Sequence, residues 1–175
     1  MLLTKRLELH ELRLEHKVAF HQGREALSEL LGVAVPPEWP EFPEAFALPG
    51  DETGSVGESE PSWWSGYFFV DRQKDTLIGN GGYAGEPNSA GEVEVGYEVA
   101  PGYRNLGYAS EAVRALVDHA LQVAEVTAVI AHTLAEENAS VRVLRKLGFQ
   151  WDGELVSEDT GTIWRWRMTR AENHE

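Results

Sequence analysis

The stretch YRNLGYASEA, residues 103–112, places an arginine, a glycine and an alanine at short, fixed intervals just before a helical pattern. A helix begins with backbone N–H groups that have no partner inside the helix, and its dipole is positive there, so this end attracts phosphate oxygens. Gly107 and Ala109 carry minimal side chains, which lets the backbone approach a bulky anion, and Arg104 adds a positive charge. The stretch predicts a site for a phosphate-bearing cofactor. The alternative is a tight strand-to-helix turn in which glycine serves geometry alone.

The residues on either side of this stretch predict a strand and a helix. Residues 92–99 place apolar side chains at odd positions and Glu or Gly at even positions, which is the period of a half-buried strand. Residues 109–121 carry apolar side chains at helical spacing. Further strands are predicted near 4–14, 63–70, 76–83, 126–131, 149–155 and 162–169, and helices near 15–31 and 138–147. Hairpin strands come first and then alternate with helices, which indicates an α+β fold.

Length and composition indicate one domain over residues 1–175. The chain is 42% hydrophobic and has no cysteine, which excludes disulfides and a covalent cysteine nucleophile. Its net charge of −14 argues against broad nucleic-acid binding, which needs a basic surface. The six histidines lack metal-ligand spacing and are interpreted as surface or incidental core residues, so no metal is expected. No signal peptide or membrane span is evident, so we expect a cytoplasmic protein without a membrane partner.

A second stretch follows the first along the chain. The order and spacing of the two stretches together are more specific for a protein family than either stretch alone. Residues 93–113, VEVGYEVAPGYRNLGYASEAV, and 138–149, NASVRVLRKLGF, resemble the two cofactor segments of the GNAT N-acetyltransferase superfamily. The similarity is greatest to its RimJ/RimL-type branch, the ribosomal-protein alanine acetyltransferase-like enzymes, whose first strand the opening TKRLELHEL resembles. Arg104, Gly107 and Ala109 meet the Q/R-x-x-G-x-G/A signature. The resemblance is weakest over residues 32–62.

The resemblance implies a GNAT fold that binds acetyl-CoA as acyl donor. That fold has a central mixed, mostly antiparallel twisted sheet of about seven strands, flanked by helices and splayed between its fourth and fifth strands, here 92–99 and 126–131. The pantetheine arm is expected in this gap and the diphosphate on the loop amides. The cofactor-binding residues implied in this way are Tyr97, Glu98, Val99, Arg104, Asn105, Leu106, Gly107, Tyr108, Ala109 and Asn138.

Glu94 matches the strand position where many members of the superfamily carry a general base. Acetyl transfer needs a neutral amine, whereas free amines are mostly protonated near neutrality. A carboxylate can take that proton, directly or through water. The alternative is that Glu92, Glu94 and Glu98 form a solvated row of carboxylates on one sheet face.

Ser140 matches the serine that returns a proton to the departing CoA thiolate in this branch. Asn138 and Ser140 are also residue types that commonly begin helices, so a capping role is the alternative for both. The branch spaces its Asn and Ser by three residues, whereas here they are two apart, which puts the role of Asn138 in doubt. The tyrosine that acts as acid elsewhere in the superfamily is matched by Leu144, so Ser140 or solvent must supply the proton.

Trp63 and Trp64 open a predicted strand beside the variable segment 32–62. Neighbouring strand residues face opposite ways, so one ring is expected in the core and the other in the acceptor pocket, where it would attract a cationic amine. The implied reaction is direct acetyl transfer in a ternary complex to a primary amine, on a protein N-terminus or a small molecule. Three alternatives stay open: a non-catalytic acyl-CoA-binding regulator, transfer of another acyl group such as succinyl, and a scaffold whose loop is only a turn. Exposed aromatic residues suggest a homodimer.

Overall fold

The computed structural model describes residues 1–48, 64–171 and 173. In this part of the chain the strands are β1 (Leu2–Leu3), β2 (Leu7–Glu11), β3 (Gly66–Asp71), β4 (Thr76–Tyr83), β5 (Glu92–Val99), β6 (Ala128–Leu134), β7 (Gln150–Ser157) and β8 (Gly161–Thr169). The helices are α1 (Leu14–Gln22), α2 (Arg24–Leu31), α3 (Tyr108–Leu121) and α4 (Ala139–Leu147), with 3-10 turns at Pro43–Phe46 and Pro101–Tyr103.

The strand order is β1-β2-β3-β4-β5-β6-β8-β7. β5 and β6 run parallel, whereas the β1–β2, β2–β3, β3–β4, β6–β8 and β7–β8 pairs are antiparallel. This is the mixed α+β sheet that the sequence predicted. It has one strand more than the expected seven because the two-residue β1 pairs with β2.

The first compact unit comprises the described residues up to Gly82 together with Tyr97–Tyr108. In this unit the residue that follows β5 is bonded to β4, because the Ala100 N–H donates to the Ile78 carbonyl at 2.8 Å. The core of this unit is aromatic. The rings of Phe46 and Phe68 stack with centroids 5.8 Å apart, and Trp39 meets Phe46 edge-on at 5.2 Å. This packing supports the end of β5 and the loop that follows it.

The second compact unit comprises Tyr83–Gly96 and the described residues from Ala109 onward. Its ladder between β5 and β6 has three pairs, Glu92–Ala128, Val93–Val129 and Glu94–Ile130. The ladder ends there, although β5 continues to Val99 and β6 to Leu134. This early end agrees with the splay that the sequence predicted between these two strands. The other edge of β6 pairs with β8, which pairs with β7.

Both helices of the second unit bury an apolar stripe. α3 buries Ala112, Val113, Leu116, Val117 and Ala120, and α4 buries Val141, Leu144 and Leu147. The Tyr83 hydroxyl donates to the Leu116 carbonyl at 2.5 Å, and Arg114 donates to the Leu147 carbonyl at 2.8 Å. These bonds fix α3 and α4 within the unit.

Several predicted boundaries were wrong, among them those of the strand expected over 126–131, which runs from Ala128 to Leu134. The helix expected over 15–31 is two helices, because Gly23 adopts a φ of 134° between them, a conformation that no helix contains. The strand expected from Trp63 begins only at Gly66, since residues 64 and 65 form a turn and a bend. Within the described ranges, no helix is both long and apolar enough to cross a membrane.

Candidate active site

The loop before α3 turns the chain sharply away from β5. A 3-10 turn at Pro101–Tyr103 follows the strand, and the exposed residues 104–107 lead into α3. Asn105 and Gly107 have φ angles of 60° and 82°, in the left-handed region that favours glycine. An added Cβ at Gly107 would also lie 3.3 Å from Nη2 of Arg6. Gly107 therefore meets the requirement of the backbone for a positive φ, and the first turn of α3, whose N–H groups lack partners within the helix, follows directly.

Tyr108 anchors the first residue of α3 to the end of β3. Its hydroxyl donates to Oδ2 of Asp71, and both side chains are buried. Burial alone would raise the pKa of Asp71, but the Tyr108 hydroxyl and the backbone N–H groups of Lys74 and Gln73 lower it overall. Burial, and then the bond to Asp71, raise the pKa of Tyr108. The pair is therefore a carboxylate held by a neutral phenol, and it fixes the position of the loop.

Two basic side chains lie beside this loop in the first unit. Nη1 of Arg6 donates to the Leu106 carbonyl at 2.9 Å, and the guanidinium lies 4.2 Å from the centroid of the Tyr108 ring. The Lys74 ammonium lies 5.9 Å from the same centroid. In a chain with a net charge of −14, this is a local concentration of positive charge at the predicted anion site.

Arg104 is engaged by the protein itself. Its Nη2 donates to Oε2 of Glu41 at 2.8 Å, and its Nε donates to the Val99 carbonyl at 3.0 Å. The resemblance to the superfamily implies contacts from this guanidinium to a diphosphate and from the Val99 backbone to pantetheine. Both contacts stay predictions, and a diphosphate would have to compete with Glu41 for the guanidinium.

Glu98 lies in a buried position rather than on a solvated face. Its side chain is 9% exposed, and Oε2 accepts a hydrogen bond from the Phe42 N–H at 3.1 Å. Burial is the main cause that raises the pKa of Glu98, although the backbone bonds from Phe42 and Glu41 oppose it. The alternative of one solvated row of three glutamates is therefore wrong for Glu98, because residues 41 and 42 cover it.

Glu92 and Glu94, at the other end of β5, have different partners. Oε2 of Glu92 binds Nη2 of Arg165 at 2.8 Å, and this bond is the main cause that lowers the pKa of Glu92. Oε1 of Glu94 lies 2.8 Å from Nδ1 of His132, with the two side chains 40% and 23% exposed. Among the described residues, Glu94 forms no salt bridge to a lysine or arginine. Glu94 is therefore the carboxylate of β5 that is both accessible and not neutralised by a guanidinium.

Comparison with known proteins identifies the family. A profile for the acetyltransferase (GNAT) domain matches residues 6–150. The chain belongs to the GNAT acetyltransferase family. It is 27% identical over 150 residues to the uncharacterized N-acetyltransferase YjdG of Bacillus subtilis (strain 168), a match that covers 85% of this chain and 89% of the relative. The protein is therefore an acyltransferase of the N-acetyltransferase type.

Solved GNAT structures share the fold at low sequence identity. A GNAT-family acetyltransferase from Bacillus anthracis matches with a TM-score of 0.67 and 18% identity, covering 98% of this chain and 99% of that chain. RimL, a ribosomal L7/L12 alpha-N-protein acetyltransferase in complex with coenzyme A, matches with a TM-score of 0.67, 16% identity and 95% coverage of both chains. A spermidine N-acetyltransferase SpeG chimera from Vibrio cholerae and hSSAT matches with a TM-score of 0.66 and 19% identity, covering 98% and 99%.

The start of α4 holds two further predicted residues of this GNAT enzyme. Asn138 is the N-cap of α4, where its Oδ1 accepts the Val141 N–H at 3.0 Å. Ser140 is the second residue of the helix and is half-buried. Leu144, which matches the position of the tyrosine acid in other members of the superfamily, is buried in the core. The cap gives Asn138 a structural function, and the cofactor role of Asn138 and the acid role of Ser140 stay predictions.

The two tryptophans predicted near the acceptor are only partly described. Trp63 lies outside the described residues. Trp64 is 9% exposed and precedes β3. Its burial is typical of a packing residue, and its place in an acceptor pocket stays a prediction.

The sequence did not predict that His132, Arg6 and Lys74 lie at the candidate site. Nothing in the stretch around His132 signals that β6 pairs with β5, nor that the ring two residues beyond the last ladder pair lies 2.8 Å from Glu94. Arg6 precedes the contacted Leu106 by 100 positions, and Lys74 lies in the β3–β4 turn. Only the fold brings these basic groups to the loop. Among the residues that the structure describes, no three His, Asp or Glu side chains cluster in a way that could hold a metal ion.

Proposed function

We propose that this enzyme transfers the acetyl group of acetyl-CoA to a primary amine by direct attack in a ternary complex. The observation that carries the proposal is the environment of Glu94, a partly exposed carboxylate that bonds to His132 and, within the described residues, to no basic lysine or arginine. Such a carboxylate is suited to take a proton from an amine. Residues 1–175 would act as a single acetyltransferase domain in the cytoplasm.

The donor is proposed to bind through the loop before α3. The exposed turn and the helix start supply amides for a diphosphate, and Arg6 and Lys74 add positive charge beside it. The pantetheine arm would run along the backbone at the end of β5. The cofactor-binding residues are proposed to be Tyr97, Glu98, Val99, Arg104, Asn105, Leu106, Gly107, Tyr108, Ala109 and Asn138.

Three groups are proposed to share the chemistry. Glu94 takes the amine proton while the amine nitrogen bonds to the thioester carbonyl carbon, and a backbone N–H of β5 stabilises the oxyanion. The carbon–sulfur bond then breaks, and Ser140 gives its hydroxyl proton to the departing thiolate while it takes a proton from solvent. Holding both substrates in one cleft would supply much of the rate.

The acceptor is proposed to be either the α-amine of a protein N-terminus or a small amine. The names of RimL and of SpeG, which share the fold, point to these two classes. The net charge of −14 is compatible with a cationic acceptor. The segment 32–62, with Trp63 and Trp64 after it, is proposed to shape the acceptor side. A homodimer is proposed as the assembly.

A panel assay tests this function. The protein is incubated with acetyl-CoA and, in separate reactions, with spermidine, with peptides that begin with alanine or serine, and with no amine, and free thiol is measured. We expect amine-dependent thiol release with at least one acceptor, and less release when succinyl-CoA replaces acetyl-CoA.

Two other outcomes would identify the alternatives. A CoA-induced rise in melting temperature without turnover on any amine would favour the non-catalytic acyl-CoA-binding regulator. The absence of both turnover and a thermal shift with CoA would favour the third alternative, a scaffold protein whose loop before α3 is only a turn.

A further inference from the structure

His132 lies beside Glu94, and the environment of its ring does not favour the stability of the fold. Its Nδ1 lies 2.8 Å from Oε1 of Glu94. Its Nε2 is buried and has no hydrogen-bond partner in the described part of the chain. A buried nitrogen without a partner lowers the free energy of unfolding, and an apolar residue at this position of β6 would avoid that loss. The imidazole therefore needs a functional explanation.

The unpaired Nε2 also indicates the tautomer of the ring. If Nε2 carried the hydrogen, a buried N–H would face no acceptor, which is the rarer arrangement in proteins. The neutral ring therefore carries its hydrogen on Nδ1 and donates it to Oε1 of Glu94. The other carboxylate oxygen, Oε2, is not used by this bond.

The neighbouring charges leave this bond undisturbed. Arg165 of β8 lies opposite His132 in the ladder, but its guanidinium binds Glu92 and Asp152. Arg167, opposite Ile130 in the same ladder, also binds Glu92, at 3.5 Å. Both arginines are thus engaged by other carboxylates, and the imidazole is the group that contacts Glu94.

We propose that His132 is a positioning residue for Glu94, whose Oε1 it fixes so that Oε2 meets the acceptor amine. The inference rests on the proposed function, in which Glu94 accepts the amine proton. His132 gains and loses no proton in the reaction, because the proton that leaves the amine ends on Oε2 of Glu94.

Three substitutions separate this role from a structural one. Asparagine places an amide N–H near the position of Nδ1, glutamine places its amide near Nε2, and leucine has no donor. H132N, H132Q and H132L are compared with wild type, E94Q and the double variant E94Q/H132L. His10 provides a matched control, because its Nε2 bonds to Oε2 of Glu8 at 2.9 Å. The kcat, the KM and the melting temperature are measured with acetyl-CoA and whichever of spermidine or the alanine peptide wild type uses faster.

We expect H132L and H132Q to lower kcat at least 10-fold with a change in KM below 3-fold. H132L is expected to keep or raise the melting temperature, H132N to retain kcat within 3-fold of wild type, and H10L to leave kcat unchanged. In the E94Q background, H132L should lower kcat little further, because both substitutions disable the same step, the proton transfer to Glu94. A kcat of H132L equal to that of wild type, or a kcat of H132N as low as that of H132L, would overturn the inference. The E94Q variant would then still test separately whether Glu94 is the general base. Full activity of E94Q would instead overturn the proposed base and the inference with it.

A spectroscopic readout does not depend on turnover. Nitrogen-15 NMR of the imidazole groups, with His132 assigned from the H132N spectrum, reports which ring nitrogen carries hydrogen. We expect the Nδ1–H form in wild type and a loss of that preference in E94L. An Nε2–H form in wild type would overturn the inference even if no acceptor in the panel is used.

Discussion

Single residues decide the chemistry of β5, because its three glutamates have three different environments. Glu92 is neutralised by Arg165, Glu98 is covered by residues 41 and 42, and Glu94 keeps an accessible carboxylate. The alternating pattern of the strand does not distinguish the three glutamates from one another. Only the resemblance to the GNAT superfamily singled out Glu94. The partners that distinguish them come from other strands and loops, which a period-two pattern does not contain.

Replacing Glu94 by glutamine should lower kcat about 100-fold at pH 7, within the usual contribution of a general base. The amide cannot take a proton, so only the small fraction of amine that is already neutral can react in the variant. The ratio of wild-type to E94Q activity should therefore shrink as the pH rises above about 9, where amines lose their proton unaided. Rates of thiol release from pH 6 to 10 measure this. The exposed Glu86 provides the control E86Q, and a ratio independent of pH would remove Glu94 as the base.

Replacing Glu98 by glutamine should flatten the dependence of stability on pH. Burial raises the pKa of Glu98 in the folded chain, so the stability that its protonated form contributes is lost as the pH rises from the unfolded value of 4.5 through the raised pKa. Glutamine keeps an oxygen for the Phe42 N–H but carries no charge. We expect E98Q to unfold in urea at an equal or higher midpoint than wild type at pH 7.5, with E86Q unchanged. A lower midpoint would contradict the assignment.

Whole elements were predictable where periodicity was strong and uninterrupted. The strand 92–99 was predicted with its observed bounds, and α3 begins one residue before the predicted 109. The pattern over 15–31 failed, because the apolar stripe continues across Gly23 although the backbone does not. The loop between β5 and α3 was predicted as an anion site from its small residues and its place at a helix start. Its anchor to β3 and its basic neighbours were not, since they depend on contacts between distant segments.

The Asp71–Tyr108 bond gives a prediction for the element that carries the loop. Y108F leaves the buried Asp71 carboxylate without its phenol donor, and should lower the free energy of unfolding by about 1–3 kcal/mol at pH 7. The pKa of Asp71 is lowered in the folded chain, so this stability is present above the unfolded value of 3.8 and is lost as the pH falls through the lowered pKa. The difference between Y108F and wild type should therefore shrink in acid.

Urea titrations from pH 7 down to about 3.5 measure this difference. Tyr103 lies in the same loop, with its ring centroid 6.4 Å from that of Tyr108, and Y103F serves as the control. We expect Y103F to stay within about 0.5 kcal/mol of wild type, as is usual away from buried polar networks. A Y108F variant as stable as wild type at pH 7 would show that the bond does not anchor the loop.

For the whole molecule, the fold and the family agree with the sequence, while the acceptor is left to experiment. The order of elements and the two cofactor segments led to a GNAT fold, which the family match over residues 6–150 confirms. The acceptor side was not predictable in the same way, because residues 32–62 resemble the family least and 49–63 lie outside the described residues. The chain as a whole is acidic, and basic groups lie locally beside the loop where we propose that the anionic donor binds.

The most direct test of the account is the affinity for CoA of two alanine variants in one loop. Gly107 has a φ of 82° and lies in the proposed diphosphate cradle, whereas Gly102 has open space around an added Cβ and no positive φ. Calorimetric titration with CoA should give a dissociation constant at least 10-fold weaker for G107A than for wild type, and one within 2-fold of wild type for G102A. A folded G107A that binds CoA as tightly as wild type would contradict the claim that the amides of residues 104–109 hold the diphosphate.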